Sequence, residues 1–158
     1  MSGDLRIPPE LLAEVYAHAR ERFPAECCGW LAGPRGEDAV TRVVRAESDA
    51  AEIPHLLGAD RTEERAYAFG RRDLLAFMRA LDGPEPPRAI YHSHPNGRAY
   101  FSDADHAAAT AGWDEPTAPV FHLVVGVRPE GVVEAKLFDW DPARKAFVVV
   151  ARFGGEIE

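Results

Sequence analysis

The chain has 158 residues, 46% of them apolar and 28% charged, which is the size and make-up of one compact domain with its own core and little room for extended disorder. Eighteen Lys and Arg against 26 Asp and Glu give a formal charge of −8, and the absence of a dense cationic run argues against a nucleic-acid partner. The opening Met1-Ser2-Gly3-Asp4 has no basic stretch leading into an apolar run, no segment approaches the ~20 apolar residues of a membrane span, and the only cysteines, Cys27 and Cys28, are adjacent and poorly placed for a disulfide. No membrane partner and a cytoplasmic location are therefore expected.

After Pro8-Pro9, the apolar residues Leu11, Leu12, Val15, Tyr16, Ala19 and Phe23 recur at three- and four-residue spacing, which predicts an amphipathic helix stopped by Pro24. Residues 29–33 and 39–45 predict a strand pair turned at Pro34-Arg35-Gly36. Between 47 and 70, Pro54, Gly58 and scattered polar residues break any period, so a loop with a short strand near 65–69 is expected. Leu74, Leu75, Phe77, Met78 and Leu81 predict a second amphipathic helix, which Gly83, Pro84, Pro86 and Pro87 stop. A strand over 88–94 follows, and a third helix runs from near Ser102 through Ala107-Ala108-Ala109 toward Gly112.

Three β-rich runs, 120–127, 132–140 and 146–153, are separated by Pro129-Glu130-Gly131 and Asp141-Pro142 and predict an antiparallel meander. The tail from 154 to 158, including Gly154-Gly155, is expected to fray. The sum is an α+β fold, a mixed β-sheet flanked by helices. One domain over 1–158 is expected, with its core over about 5–150.

The chemistry concentrates around residue 92. In a strand His92 and His94 project to one side, roughly 6.5 Å apart along the backbone, close enough to grip one ion. Pro95 ends the strand, Asn96-Gly97 signals a turn, and Ser102 opens a helix with Asp105 three positions later, so the excursion can return a carboxylate to the imidazoles. Two neutral imidazole nitrogens and a carboxylate oxygen leave a tetrahedral ion one position for water, the pattern of a catalytic zinc site, and such an ion lowers the pKa of its water to about 7. A separate base must still move the proton. Glu26, between Pro24 and the apolar run Cys27-Cys28-Gly29-Trp30-Leu31, is the upstream carboxylate placed for it.

Taken by themselves these residues leave two readings open: a metal site, or satisfied histidines beside an ordinary Ser-x-x-Asp capping box. His18, His55, His106 and His122 are read as surface or core residues without a role, and Cys27 and Cys28 as buried packing residues.

The run His92-Ser93-His94-Pro95, the seven residues 95–101, and Ser102-Asp103-Ala104-Asp105 match the pattern His-x-His, seven residues, Ser, two residues, Asp, and the chain thereby resembles the JAMM (MPN-plus) metallopeptidases, in their compact bacterial branch. Glu26-Cys27-Cys28-Gly29, after a first helix and before a strand, resembles that family's amino-terminal motif. The resemblance implies the JAMM/MPN fold of cytidine-deaminase-like type. It further implies one zinc ion held by His92, His94 and Asp105, acid/base work by Glu26 and oxyanion stabilisation by Ser102. It implies substrates that are conjugates of ubiquitin-like or sulfur-carrier proteins, cut after a terminal Gly-Gly. Two rival readings accompany it: a catalytically silent MPN scaffold, and a DNA-repair-associated member of the same superfamily.

Overall fold

The computed structural model describes residues 5–46 and 71–157. In chain order the described elements are helix α1 (Pro9–Arg22), strands β1 (Cys28–Ala32) and β2 (Arg42–Ala46), helix α2 (Arg71–Leu81), strand β3 (Pro87–His94), helix α3 (Asp103–Thr110), and strands β4 (Phe121–Arg128), β5 (Gly131–Asp141) and β6 (Ala146–Gly154). The six strands form one sheet in the order β2-β1-β3-β4-β5-β6. It is mixed: β3 and β4 run parallel, and every other neighbouring pair is antiparallel. The expected α+β architecture and the β4-β5-β6 meander are both present.

Strand alternation gives the sheet two unlike faces. Helix α1 lays Leu11, Val15, Tyr16 and Ala19 on one of them, against Cys27, Leu31, Ala89, Tyr91, Leu123, Val125 and Leu137, and this is the main core. The other face carries two smaller apolar clusters, one around Cys28, Trp30 and Phe77, the other around Val124, Phe138, Phe147 and Ala99. The even-numbered residues at the end of β3 lie on this second face, and they include His92 and His94.

Several boundaries differ from expectation, each for a local reason. Ala39 belongs to no strand of the β1–β2 pair. It bridges in parallel to Arg6, with Arg6 N donating to Asp38 O (2.7 Å) and Val40 N to Arg6 O (3.1 Å), so the amino-terminal segment claims the backbone groups that a longer β2 would have used. Of the apolar stripe on α2, Phe77 is buried whereas Leu74, Leu75 and Met78 stand exposed. Helix α3 stops at Thr110, because Ala111 (φ 51°) and Gly112 (φ 81°) turn the chain left-handed. The strand expected near 65–69 lies outside the described residues.

The expected fraying of the tail does not hold through residue 157. β6 continues to Gly154, whose carbonyl accepts from the Tyr16 hydroxyl (2.8 Å). Glu156 N donates to Val132 O (2.7 Å), Val132 N donates to Glu156 Oε1 (3.1 Å), and Arg20 pairs with the Glu156 carboxylate. Gly155 makes this docking possible, since a Cβ there would collide with the Val132 and Val133 carbonyls. Among the described residues, no helix is long and apolar enough to cross a membrane.

Candidate metal centre

The site sits where β3 ends. His92 pairs across with Cys28 on antiparallel β1, and the pairing is carried one residue beyond β1 by Ser93, whose N donates to Cys27 O (3.2 Å) while Cys27 N donates to Ser93 Oγ (2.8 Å). Alternation continued one step past the strand end puts Glu26 opposite His94, on the face that carries both imidazoles. Glu26 is buried, and so are both histidines.

The chain then has to double back. Asn96 Oδ1 accepts from Arg98 N (2.9 Å), closing a side-chain turn, and Gly97 takes φ 81°. The returning loop crosses β4 directly over Gly126, where a Cβ would strike the Gly97 carbonyl and Arg98 N. Ala99 N donates to Glu134 Oε2 on β5 (2.8 Å), and Phe101 plugs into the rings of Phe138 and Phe147, with centroids 5.5 and 4.5 Å away. So anchored, the loop delivers Ser102 as the cap of α3. Asp105 N donates to Ser102 Oγ and Ser102 N to Asp105 Oδ2, both at 3.0 Å, a complete capping box.

The box aims Asp105 inward. Its Oδ2 lies 3.1 Å from His92 Nε2 and 3.1 Å from His94 Nε2, and the two ring nitrogens are 3.2 Å apart. Burial opposes ionisation of this carboxyl, but the imidazoles of His92 and His94, through charge and hydrogen bonding, hold it well below the usual carboxylate range. The three atoms form a near-equilateral triangle. Ligands about 2.0–2.2 Å from a tetrahedral ion stand roughly 3.3–3.6 Å apart, so a small expansion of this triangle suits a metal held by two nitrogens and one oxygen. His92, His94 and Asp105 can therefore hold a metal ion.

A match to the family described as prokaryotic homologs of the JAB domain spans residues 8–141. The chain belongs to the prokaryotic JAB family. Curated relatives of this JAB chain include the CysO-cysteine peptidases of Mycobacterium tuberculosis and Mycobacterium bovis, each 37% identical over 107 residues, a match that covers 67% of this chain and 66% of the relative. Among solved structures, a Salinibacter ruber protein superposes with a TM-score of 0.61 at 24% identity, covering 93% of this chain and 89% of its own. Protein DSY2949 from Desulfitobacterium hafniense gives 0.59 at 23% identity, covering 90% and 87%. AF2198, a JAB1/MPN domain protein from Archaeoglobus fulgidus, gives 0.51 at 14% identity, covering 91% and 94%. These likenesses establish the fold.

The remaining histidines separate by environment. His18 Nδ1 lies 2.6 Å from the Tyr91 hydroxyl on the α1 face, a satisfied core residue. His122 is buried against Phe101 and Phe147, and burial, reinforced by His92 and opposed by Asp105, pushes its imidazole down to about 3, so it stays neutral behind the triad. His106 packs near Trp140 (5.8 Å), and His55 lies outside the described residues. Cys27 and Cys28 are free and buried, as expected.

Sequence reasoning missed Ser93, Glu134 and Gly126, which build the site without belonging to the triad. Ser93 carried a usable signal, a hydroxyl on the same strand face as Ala89 and Tyr91, where a polar group must find a partner. Glu134 and Gly126 carried none, because only the tertiary fold brings the loop across them.

Proposed function

We propose that this chain is a zinc-dependent metallopeptidase that hydrolyses the peptide or isopeptide bond after the terminal Gly-Gly of a ubiquitin-like or sulfur-carrier protein. The observation that carries this reading is the convergence of His92 Nε2, His94 Nε2 and Asp105 Oδ2 within 3.2 Å of one another in a chain of the prokaryotic JAB family. A borderline N,N,O donor set that leaves a tetrahedral ion one vacant position suits catalytic zinc. When bound, the ion polarises the scissile carbonyl and acidifies water.

The other work falls to the chain's own groups. Glu26 takes a proton from the attacking water as its oxygen bonds to the carbonyl carbon, and returns that proton to the leaving amine as the C–N bond breaks. The Ser102 oxygen is occupied as acceptor of Asp105 N–H, which leaves the hydroxyl proton free to be donated to the developing oxyanion. An extended Gly-Gly tail offers few side chains to read, so backbone pairing along a sheet edge suits its recognition.

The CysO-cysteine peptidases that share 37% identity support a sulfur-carrier substrate, with cysteine as a leaving group. The formal charge of −8 disfavours the DNA-repair reading. Free buried thiols at Cys27 and Cys28 agree with a cytoplasmic setting.

The test is intact-mass analysis of a Gly-Gly-ended sulfur carrier bearing cysteine, or a lysine conjugate, incubated with zinc-loaded protein and with its Glu26→Ala variant. Loss of the adduct with wild type alone is expected, and the adduct consumed identifies the leaving group. Failure of the zinc-loaded wild type on every adduct overturns the substrate class. Equal cleavage by the variant overturns the role of Glu26.

A further inference from the structure

The opposite end of the central strands carries a second concave surface. β3 and β4 run parallel with Ala89 beside Phe121 and His94 beside Gly126, so the start of β4 lies about 16 Å of strand away from the triad end. Beyond that start, two adjoining cavities of about 420 and 620 Å³ share Glu115, Trp140 and Pro142 and form one groove.

Its walls are fixed and aromatic. Trp113 is 76% exposed, yet its backbone is tied, with its own N donating to Thr110 O (2.9 Å) and Thr117 N donating to Ala109 O (2.9 Å). Trp140 is held by an edge contact with Phe147 (5.1 Å) and by His106 (5.8 Å), and it lines the groove as well. A large exposed aromatic on an anchored loop loses little entropy on binding, which is the character of an interaction surface.

The groove is also acidic. Asp114 and Glu115 make no ion pair among the described residues. Asp139 Oδ1 accepts from Trp140 N (2.9 Å), while its Oδ2 is buried with no hydrogen-bond partner among the described residues. Among the described residues that line the groove Lys145 is the one cation, and nearby Arg144 is drawn to Asp141 (3.6 Å).

We propose that this groove docks a basic segment of a partner protein, with an Arg or Lys stem lying across Trp113 and Trp140 and its cation meeting Asp114 and Glu115. Cation–π attraction and carboxylate pairing then act on the same side chain. A second copy of the chain is a poor occupant, since it carries the same charge of −8 and is repelled. The proposal stands independently of the peptidase reading.

The sequence has 3 tryptophans, and the third, Trp30, is buried beside Phe77 in a different cluster, which supplies an internal control. The full chain, ¹⁵N-labelled, is titrated with the end-blocked peptide Gly-Ser-Pro-Arg-Ala-Lys-Ser-Gly and with its counterpart bearing Glu at both basic positions, while the indole N–H signals are followed by NMR. Saturable shifts of Trp140 and Trp113 with the basic peptide alone are expected, with Trp30 unmoved. Trp113→Ala and Glu115→Gln should each weaken binding about two- to fivefold, and the Trp30 signal reports that each variant is folded. Raising salt to 0.5 M should weaken it further. No saturable shift with the basic peptide, or equal shifts with the acidic one, overturns the proposal. Peptide-free shifts that grow with protein concentration assign the groove to a second copy instead, and also overturn it.

Discussion

Both faces of the sheet bury histidine, and they treat it in opposite ways. On the α1 face His18 meets a single Tyr91 hydroxyl at 2.6 Å, surrounded by the apolar residues of the main core. On the other face His92 and His94 meet each other and one carboxylate oxygen, three ligand atoms within 3.2 Å of one another. Burial by itself therefore distinguishes nothing. One partner satisfies an imidazole and makes it structural, whereas convergence of several donors on one point makes a place for an ion.

The sharpest way to break this contrast is to replace a member of the triad on one face and His18 on the other. His92→Ala or Asp105→Ala should lose the bound ion and drop turnover below detection, while His18→Gln keeps one ion per chain, as read by elemental analysis of the purified protein. A His92→Ala variant that retains full zinc stoichiometry would sink the assignment of the triad, and wild type that binds no zinc would favour a silent scaffold.

Next in size are Glu26 and Ser102, proposed to act beside the ion. Glu26→Gln should cost about 10²–10⁴ in turnover with the ion still bound. Ser102→Ala should lower kcat about 10²–10³-fold and also remove a helix cap worth about 1 kcal/mol, whereas Ser102→Thr keeps the cap and most of the rate. Paired kinetics and denaturation curves separate the proposed oxyanion role of this serine from its cap. A Ser102→Ala enzyme that loses stability without losing kcat would leave it a cap only.

A smaller effect is expected at Gly126→Ala, whose new methyl group meets the Gly97 carbonyl and Arg98 N. The returning loop must lift, at a cost of about 1–3 kcal/mol in stability, and metal affinity should fall with it, because the same loop sets the start of α3 and so the place of Asp105. An equally stable variant with unchanged zinc affinity would show that the crossing over β4 does not set the triad.

The smallest effect belongs to the α1 face. Burial, then the Arg45 and Arg22 guanidiniums, with Glu21 opposing, depress the His18 imidazole to about 4 from an ordinary 6.5. Because the folded value lies below the unfolded one, this contribution to stability is complete above pH 6.5 and drains away as the pH falls toward 4. About 1–2 kcal/mol should be lost across that window after allowing for solvent screening of the arginines, and His18→Gln should flatten the curve there. Chemical denaturation at pH 7, 5.5 and 4 measures it, and identical slopes for the two proteins would count against the shift.

Much of the fold could be read along the chain, because its cues are local. The three- and four-residue spacing from Leu11 to Phe23, the prolines after Leu81 and the turn residues between the last strands each act within a few residues, and all mark real elements. The cues that failed were those with distant competitors. Ala39 pairs with Arg6 instead of extending β2, Leu74 and Met78 follow helical spacing yet find no core, and Gly154-Gly155 looks like a loose end until β5 and α1 take hold of it.

The candidate site divides along the same line. His92, His94, Ser102 and Asp105 were visible as a spacing, because strand alternation and a capping box are local rules that turn side chains in known directions. Whether those directions meet was decided elsewhere: by Ser93 clamping Cys27, by Glu134 holding Ala99, and by a glycine on β4 thin enough to let the loop cross. Sequence by itself determined which groups exist and which way each local segment turns them. Only the tertiary structure closed three ligand atoms to within 3.2 Å, since that distance depends on packing between residues that the chain keeps far apart.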